Sequence, residues 1–371
     1  MNRVEELIQQ LCPNGVEWKK LGEVCDYERP TKYIVKSTNY NPQFQTPVLT
    51  AGQSFVLGYT DEAYGIYKAN TQHPVIIFDD FTTSFQWVDF DFKVKSSAIK
   101  ILMPSCESVL LRFVYYLMQT IHFEAVEHTR YWISRYSQIE IPVPPLSIQQ
   151  EIVRILDTFT ELTANLQTEL DARKKQYAYY RDCLLNFEGV DGVEWKKLGK
   201  VCNVYTGGEP PKDVVRGDSK DIEHPYPVWA NGKDVYGYSS TFQINKDATV
   251  ISSLGANTGT IYFREAFFTP VIRLKVIIPV VKDILSKYLY YYLSTISFVV
   301  KSSSVPNMNA NEVKNIIIPI PPLPEQRRIV AILDKFETLV NDLSVGLPAE
   351  LEARRKQYEY YRDKLLTFDR V

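Results

Sequence analysis

The sequence is poor in the residues that build metal and redox centres. Its 371 residues include only five cysteines and four histidines. The cysteines are scattered, odd in number and form no C-x-x-C pair, which speaks against a disulfide framework or a zinc site. His73, His122, His128 and His224 lack metal-ligand spacing. No nucleophile elbow is present, and no Gly-rich cofactor loop follows a strand. No stretch approaches the ~18 uninterrupted apolar residues of a membrane helix. The start, MNRVEELIQQL, lacks an apolar run and a small-residue cleavage site, so it does not read as a signal peptide; a cytoplasmic setting is expected. Excess charge is missing too. Lys+Arg number 42 against 44 Asp+Glu, a net charge of −2, so bulk electrostatics do not announce nucleic-acid binding. The balance is uneven: residues 193–317 hold 15 cations against 11 anions, and residues 16–140 hold 12 against 14. A basic face is open to either segment, but net charge does not demand one.

What is present is a long duplication. GVEWKKLG occurs at residues 15–22 and again at 192–199. IPVPPLSIQQEIVRILDTF begins at Ile141, and IPIPPLPEQRRIVAILDKF begins at Ile318, again 177 residues later. RKKQYAYYRDCLL at Arg173 returns as RRKQYEYYRDKLL at Arg354, now 181 residues later. The second copy therefore gains four residues between Asp334 and Arg354. A period this long means duplicated domains, not a short-repeat solenoid. Cys25 and Cys202 take matching places in the repeat, as small core residues would.

Each copy changes character along its length. The segment after GVEWKKLG is rich in β-branched and aromatic residues with Gly, Asn and Pro punctuation, as in PVIIFDDFTTSFQWVDFDFKV and ATVISSLGANTGTIYF, so strands are expected. Here the copies agree loosely: TPVLTAGQSFVLGYT (46–60) matches YPVWANGKDVYGYSS (226–240), and LRFVYYLMQ (111–119) resembles SKYLYYYLS (286–294). One frame with divergent loops suits two different targets; neutral drift of loops gives the same pattern. Pro-rich punctuation and a long helix follow. Ser147-Ile148-Gln149-Gln150 fits a capping box, and Pro324 suits a first helical position. Apolar steps of three and four run Ile152, Ile155, Phe159, Leu162, Leu166, Leu170, Tyr177, Tyr180, Leu184 in the first copy. The second runs Ile329, Ile332, Phe336, Leu339, Leu343, Leu347, Leu351, Tyr358, Tyr361, Leu365. Such spacing predicts a coiled-coil seam, on helices of about 40 residues or about 60 Å. The four extra residues bring Gly346 and Pro348, which predict a kink or a fresh helix start near Pro348. Leu7-Ile8 precedes the first GVEWKKLG by the interval at which Leu184-Leu185 precedes the second, so the first residues are expected to imitate a helix end.

The doubled phrases GVEWKKLG, IPIPPLPEQRRIVAILDKF and RRKQYEYYRDKLL, in this order, resemble the specificity subunits of type I restriction–modification systems over essentially the whole chain. The resemblance implies an α+β fold: two strand-rich α/β target-recognition domains joined by two long antiparallel coiled-coil helices, a pseudo-twofold internal repeat. It places the recognition domains at residues 1–140 and 188–317 and the spacer helices at 141–187 and 318–371. It further implies that each recognition domain reads one half of a split site on double-stranded DNA. The helices dock two methyltransferase subunits, and translocase/endonuclease subunits complete the complex. Catalysis is then absent from this chain, and S-adenosylmethionine, ATP and Mg belong to the partners.

Two enzymatic readings compete and are set aside. Asp80 followed by Asp91-Phe92-Lys93 has a spacing similar to a metal-dependent nuclease, but the second copy offers SSLGANTG there and an alternating strand explains the first. Asn41-Pro42-Gln43-Phe44 approximates the amine-binding motif of amino-methyltransferases, one residue out of step. A plain coiled-coil scaffold for proteins is the remaining alternative, and it gives no reason for divergent polar loops on both heads.

Bases are read by side chains on their edges, while Lys and Arg on phosphates set register. The candidates in the first domain are Lys32 and Tyr33, then Thr50, Gln53 and Ser54, then Thr82, Thr83 and Ser84, then Lys95, Ser96 and Ser97, with Arg130, Tyr131 and Arg135. In the second domain they are Thr206, Gly207, Gly208, Asn231, Lys233, Ser252, Ser253, Asn257, Thr258, Asn307 and Asn309. An ordinary solvated turn is the competing reading for each. The helix-end segments interleave cations with tyrosines: Arg173, Lys174, Gln176, Tyr177, Tyr180 and Arg181, and Arg354, Arg355, Gln357, Tyr358, Tyr361 and Arg362. Phosphate contact is possible there, but repetition at both helix ends favours docking of two identical partners.

Overall fold

The eight-residue phrase that recurs becomes a strand in both copies, and so does the IP-P phrase. Glu17–Lys20 pairs antiparallel with Glu140–Val143, with Trp18 opposite Pro142. Glu194–Lys197 pairs with Ile317–Ile320, with Trp195 opposite Pro319. The two repeated phrases are thus one two-stranded clasp, formed twice. Proline is tolerated because a two-stranded ribbon has only edge strands. The computed structural model describes residues 3–52, 54–125, 129–217, 219–255, 257–298, 308–342 and 345–371. Gln53, His128, Asn307 and the seam position Leu343 lie outside the described residues.

The chain forms two units, residues 1–165 with 351–371 and residues 166–350. Each holds a strand-rich head of the same topology. In the first head a four-stranded sheet runs Cys25–Glu28, Ile99–Pro104, Val75–Asp79, Phe85–Val88. In the second it runs Cys202–Thr206, Lys275–Pro279, Ala248–Ile251, Ile261–Arg264. A three-stranded sheet accompanies each, with one parallel pair, Val48 beside Lys93 and Val228 beside Thr269. The central strands are buried on both faces: Val75, Ile76, Ile77 and Phe78 form a continuous apolar run, and in the second head Ala248, Val250 and Ile251 flank the buried Thr249. Cys25 and Cys202 are buried free thiols, and burial pushes both up to about 12, so they are inert core residues.

The long helices meet in each unit end to start. In the first unit Phe159, near the start of helix Leu146–Leu184, stacks on Tyr361 of helix Leu347–Leu365 at 5.5 Å. In the second unit Tyr180, near the end of Leu146–Leu184, stacks on Phe336 of helix Leu323–Asn341 at 5.5 Å. The same ring pair recurs with its members exchanged between helices, as a duplicated pair requires. Ile148, Ile152, Leu156, Ile329 and Leu333 are buried, and so are the seam positions Leu170, Leu347 and Leu351, while Leu162 and Leu339 stay 36% exposed.

Two local expectations change, and a third, the break near Pro348, is met. Helix Leu146–Leu184 already begins before Ser147, so Ser147 is not its N-cap; Pro145 carbonyl oxygen accepts from Ile148 and Gln149 instead. The second long helix is broken, with a fresh start at Leu347 after Asn341. Gly346 allows this return, because a Cβ there would lie 2.3 Å from the Thr338 carbonyl oxygen. The N-terminus does not stand in for a helix end. Leu366 and Phe368 of the C-terminus fill the core places that Leu185 and Phe187 fill in the other unit. Val16 N–H donates to Asp369 carbonyl oxygen at 2.9 Å, joining the two termini. Arg3–Leu11 is an added helix, with Val4 buried and Glu5 paired to Lys364.

Candidate nucleic-acid interface

A buried glutamine fixes each head on its helix. Gln149 and Gln326 have no exposed surface. Gln149 Oε1 accepts from Leu110 N–H at 2.8 Å, and its Nε2 donates to the Ser108 and Pro144 carbonyls at 3.0 and 2.7 Å. Gln326 repeats the pattern with Leu285 N–H and the Asp283 and Pro321 carbonyls, at 3.0, 2.7 and 2.8 Å. A second tie lies beside it. Tyr116 donates to Asp157 at 2.5 Å and Tyr291 to Asp334 at 2.5 Å, with Arg112 or Lys287 completing the charge. Burial, reinforced by the carboxylate neighbour, holds both phenols above their usual range. Sequence reasoning missed these glutamines. The signal was available: an amide identical in both copies on an otherwise apolar helix face.

At the opposite end of each four-stranded sheet, the connecting loops gather. In the first head this end carries the turn after Glu28, the Asp80–Ser84 turn and the Lys95–Ala98 turn, as the strand register requires. Lys32 pairs with Glu28 at 2.8 Å and lies over the Tyr33 ring; the Glu28 hydrogen bond raises its pKa. Thr50 Oγ1 donates to Ser54 carbonyl oxygen and accepts from Gly52 N–H, closing its own turn. Thr82 is exposed and caps Ser84 N–H, whereas Thr83 is buried with φ 58°. Ser96 accepts from Ala98 N–H; Lys95 and Ser97 are exposed, with Lys95 over Tyr40. Arg130 approaches Asp80 at 3.7 Å, and Arg135 lies over Tyr131. Tyr131 itself is fully buried against Phe123 and belongs to the core.

In the second head the corresponding end joins residues 206–208, 252–260 and 271–274. Asn231 ties this end together: its Oδ1 accepts from Ser253 N–H at 2.7 Å, and its Nδ2 donates to Ile272 carbonyl oxygen. Ser252 donates to Asn231 carbonyl oxygen and Ser253 to Arg273 carbonyl oxygen; both side chains are fully buried. These three are framework, not free edges, because their polar atoms are engaged internally. Asn257 is exposed and donates to Asn231 carbonyl oxygen at 3.3 Å, and Thr258 closes onto Gly255. Thr206 Oγ1 receives the Lys275 ammonium at 3.3 Å. Gly207 is buried, while Gly208 and Lys233 are exposed. Asn309 is a helix cap, accepting from Asn311 and Glu312 N–H groups. The exposed Arg273, which sequence reasoning missed, belongs to this end.

The helix-end candidates divide by face. Tyr177, Tyr180 and Tyr361 pack on Phe336 and Phe159 within their own units, and Tyr358 donates to Gln119 at 2.6 Å. Burial raises Tyr177 and Tyr358 to about 12. Arg173 bonds Gln176 and Arg354 bonds Gln357, at 2.9 and 3.0 Å. Arg181 and Arg362 pair with the adjacent Asp182 and Asp363. Lys174 and Arg355 are exposed, and the outward tyrosines are Tyr179 and Tyr360, 65% and 62% exposed.

The enzymatic readings find no geometry. Asp80 is buried, with Lys100 at 3.3 Å and Trp132 N–H at 2.8 Å on its oxygens, while Asp91 pairs with Lys68 at the surface. Asn41 closes a local turn onto Gln43 and Phe44. Among the described residues no cluster of three or more His, Cys, Asp or Glu side chains could hold a metal, and no helix is long and apolar enough to cross a membrane.

Fold and site define a class: a duplicated, two-headed protein whose divergent loop ends are held by an invariant frame of clasp, latch and long helix. The family described as "Type I restriction modification DNA specificity domain" matches twice, over residues 13–172 and 191–353. The specificity subunit of a type I restriction enzyme of Escherichia coli is 45% identical, over 99% of this chain and 97% of that one. A putative type I restriction enzyme specificity subunit of Haemophilus influenzae is 32% identical, over 95% of this chain and 96% of that one. The crystal structure of a type I restriction–modification S subunit from M. genitalium superposes with a TM-score of 0.67 at 16% identity, covering 96% and 98% of the two chains. A chain from a structure of type I system assembly and conformational transition gives 0.53 at 19% identity, over 95% and 98%. The chain belongs to the family of type I restriction–modification DNA specificity subunits.

Proposed function

We propose that the chain selects a split site on double-stranded DNA, each head reading one half with the loops gathered at its sheet end. The observation that carries this is the contrast within one molecule: clasp and latch are repeated bond for bond, while the loop ends differ. Residues 1–140 and 188–317 are assigned as recognition domains, and 141–187 and 318–371 as the helices that space them. The chain contributes no catalytic group. It acts in a cytoplasmic complex with two methyltransferase subunits, which supply S-adenosylmethionine chemistry, and with translocase/endonuclease subunits that use ATP and Mg. The exposed faces of the helix ends, Tyr179 with Lys174 and Tyr360 with Arg355, are the docking surfaces; their doubling matches two copies of one partner. A plain protein scaffold would leave the divergence of the two loop ends without a cause. Co-expression with the methyltransferase and a map of adenine methylation on host DNA tests the proposal. A two-part motif with a fixed gap is expected. Methylation without a motif, or methylation by the purified chain alone, would overturn it.

A further inference from the structure

The turn between Pro270 and Lys275 in the second head is held in a strained form. Ile272 and Arg273 have φ of 51° and 61°. Two successive non-glycine residues in the left-handed region, one of them β-branched, are rare, and such strain persists only where surrounding structure imposes it. Here it is imposed. Ile272 N–H donates to Gly208 carbonyl oxygen at 2.8 Å and Arg273 N–H to Gly207 carbonyl oxygen at 3.0 Å. Their own carbonyls accept from Asn231 Nδ2 and from Ser253 Oγ. Gly207 admits the crossing, since a Cβ there would sit 2.8 Å from Val271 N. Every backbone polar group of the pair is engaged, so the turn is rigid. Both side chains remain outside, Ile272 38% exposed and Arg273 exposed. Among the described residues no carboxylate or other acceptor engages the Arg273 guanidinium. Beneath it lies Lys275, buried and bonded to Thr206; burial first, then the nearby Arg273, lowers its pKa.

The matching turn of the first head is built otherwise. By strand register it is one residue longer, it presents Ser96 and Ser97, and neither has a positive φ. The two heads therefore offer different chemistry at the same place: hydroxyls in one, a pre-positioned guanidinium beside an isoleucine in the other.

We propose that Arg273 is a specificity-determining residue of the second head, reading the major-groove edge of a guanine. The inference rests on the DNA-reading function proposed above. A guanidinium has only donors, set in a rigid fork, and guanine alone presents two acceptors, O6 and N7, on one edge. A phosphate contact needs no strained, fully fastened backbone, since flexible surface cations make it. Ile272 alongside supplies apolar contact that excludes water from the fork.

The test uses the complex with the methyltransferase subunits, comparing the wild type with Arg273→Asn and Arg273→Lys by mapping methylated motifs. Asparagine tolerates the left-handed backbone, and lysine keeps the charge but not the fork. Both variants are expected to relax one guanine position in the half-site of the second head, lowering preference for that guanine about 10-fold or more. The other half-site stays unchanged. An unaltered motif in both variants overturns the inference, whether methylation falls uniformly, as loss of a phosphate contact would give, or does not fall at all. If the wild-type complex itself shows no sequence motif, the DNA-reading function is what fails.

Discussion

The first head ends its sheet in a buried ion pair, and the second ends the same register in cations that, among the described residues, have no carboxylate partner. Lys100 and Lys275 occupy equivalent positions, next to Ile101 opposite Glu28 and Val276 opposite Tyr205. Lys100 is neutralised by Asp80 at 3.3 Å, both side chains nearly inaccessible. Lys275 has Thr206 as its partner. Below this register the Gln149 and Gln326 latches repeat bond for bond. The difference teaches where the molecule is free to vary. Changes at the loop end alter charge and shape presented outward, while the latch keeps each head in one orientation on its helix.

That comparison can be broken first at the ion pair. Asp80→Ala leaves Lys100 buried and unpaired and Trp132 N–H without its acceptor, and should cost about 4 kcal/mol. Lys275→Met removes a buried charge whose partner is the Thr206 hydroxyl, with no carboxylate to orphan among the described residues, and should be neutral or stabilising. Denaturant unfolding of the two variants checks this; equal losses would show that the two ends are electrostatically alike. Next come the latches. Gln149→Leu and Gln326→Leu each strand one buried and two part-buried backbone groups, and each should cost about 3 kcal/mol, with similar values in the two heads. A large loss in one head and none in the other would contradict a shared frame. Gly346→Ala pushes a methyl onto the Thr338 and Leu339 carbonyls and should cost about 2 kcal/mol in the second unit, where the first long helix has no such break. Thermal melts resolve it.

The smallest effect is a pH difference. Asp213 in the second head is lowered to about 2, first by the Ser240 hydroxyl and N–H and then by Ser239. A carboxylate depressed on folding adds stability that is present above its ordinary value, near 3.9, and is lost as pH falls toward about 2. Acid unfolding of Asp213→Asn should therefore be flatter than wild type across that window and parallel to it at neutral pH. Identical acid profiles would remove Asp213 as the tie.

The duplicated frame was legible because identity at a fixed spacing survives without knowing the fold. The clasp phrases, the helix seam and the buried Cys25 and Cys202 all follow from it. The break before Leu347 was legible because Gly346 and Pro348 cannot continue a helix. The loop end was legible only as neighbourhoods. Tyr131 reads as a surface polar residue, yet its ring is buried against Phe123; Ser252 and Ser253 read so too, yet their groups are consumed by contacts 20 or more residues away in sequence. Arg273 was hidden for the opposite reason. PVIRLKV reads as an uninterrupted strand, and only its pairing with Gly207 and Gly208 reveals a strained turn inside it.

The central claim is that two independently variable heads share one frame. It is tested most directly by replacing residues 23–140 with the matching segment of another specificity subunit and mapping adenine methylation by the complex. The account predicts a motif changed in one half only, with the other half and the gap retained. A motif changed in both halves would contradict it.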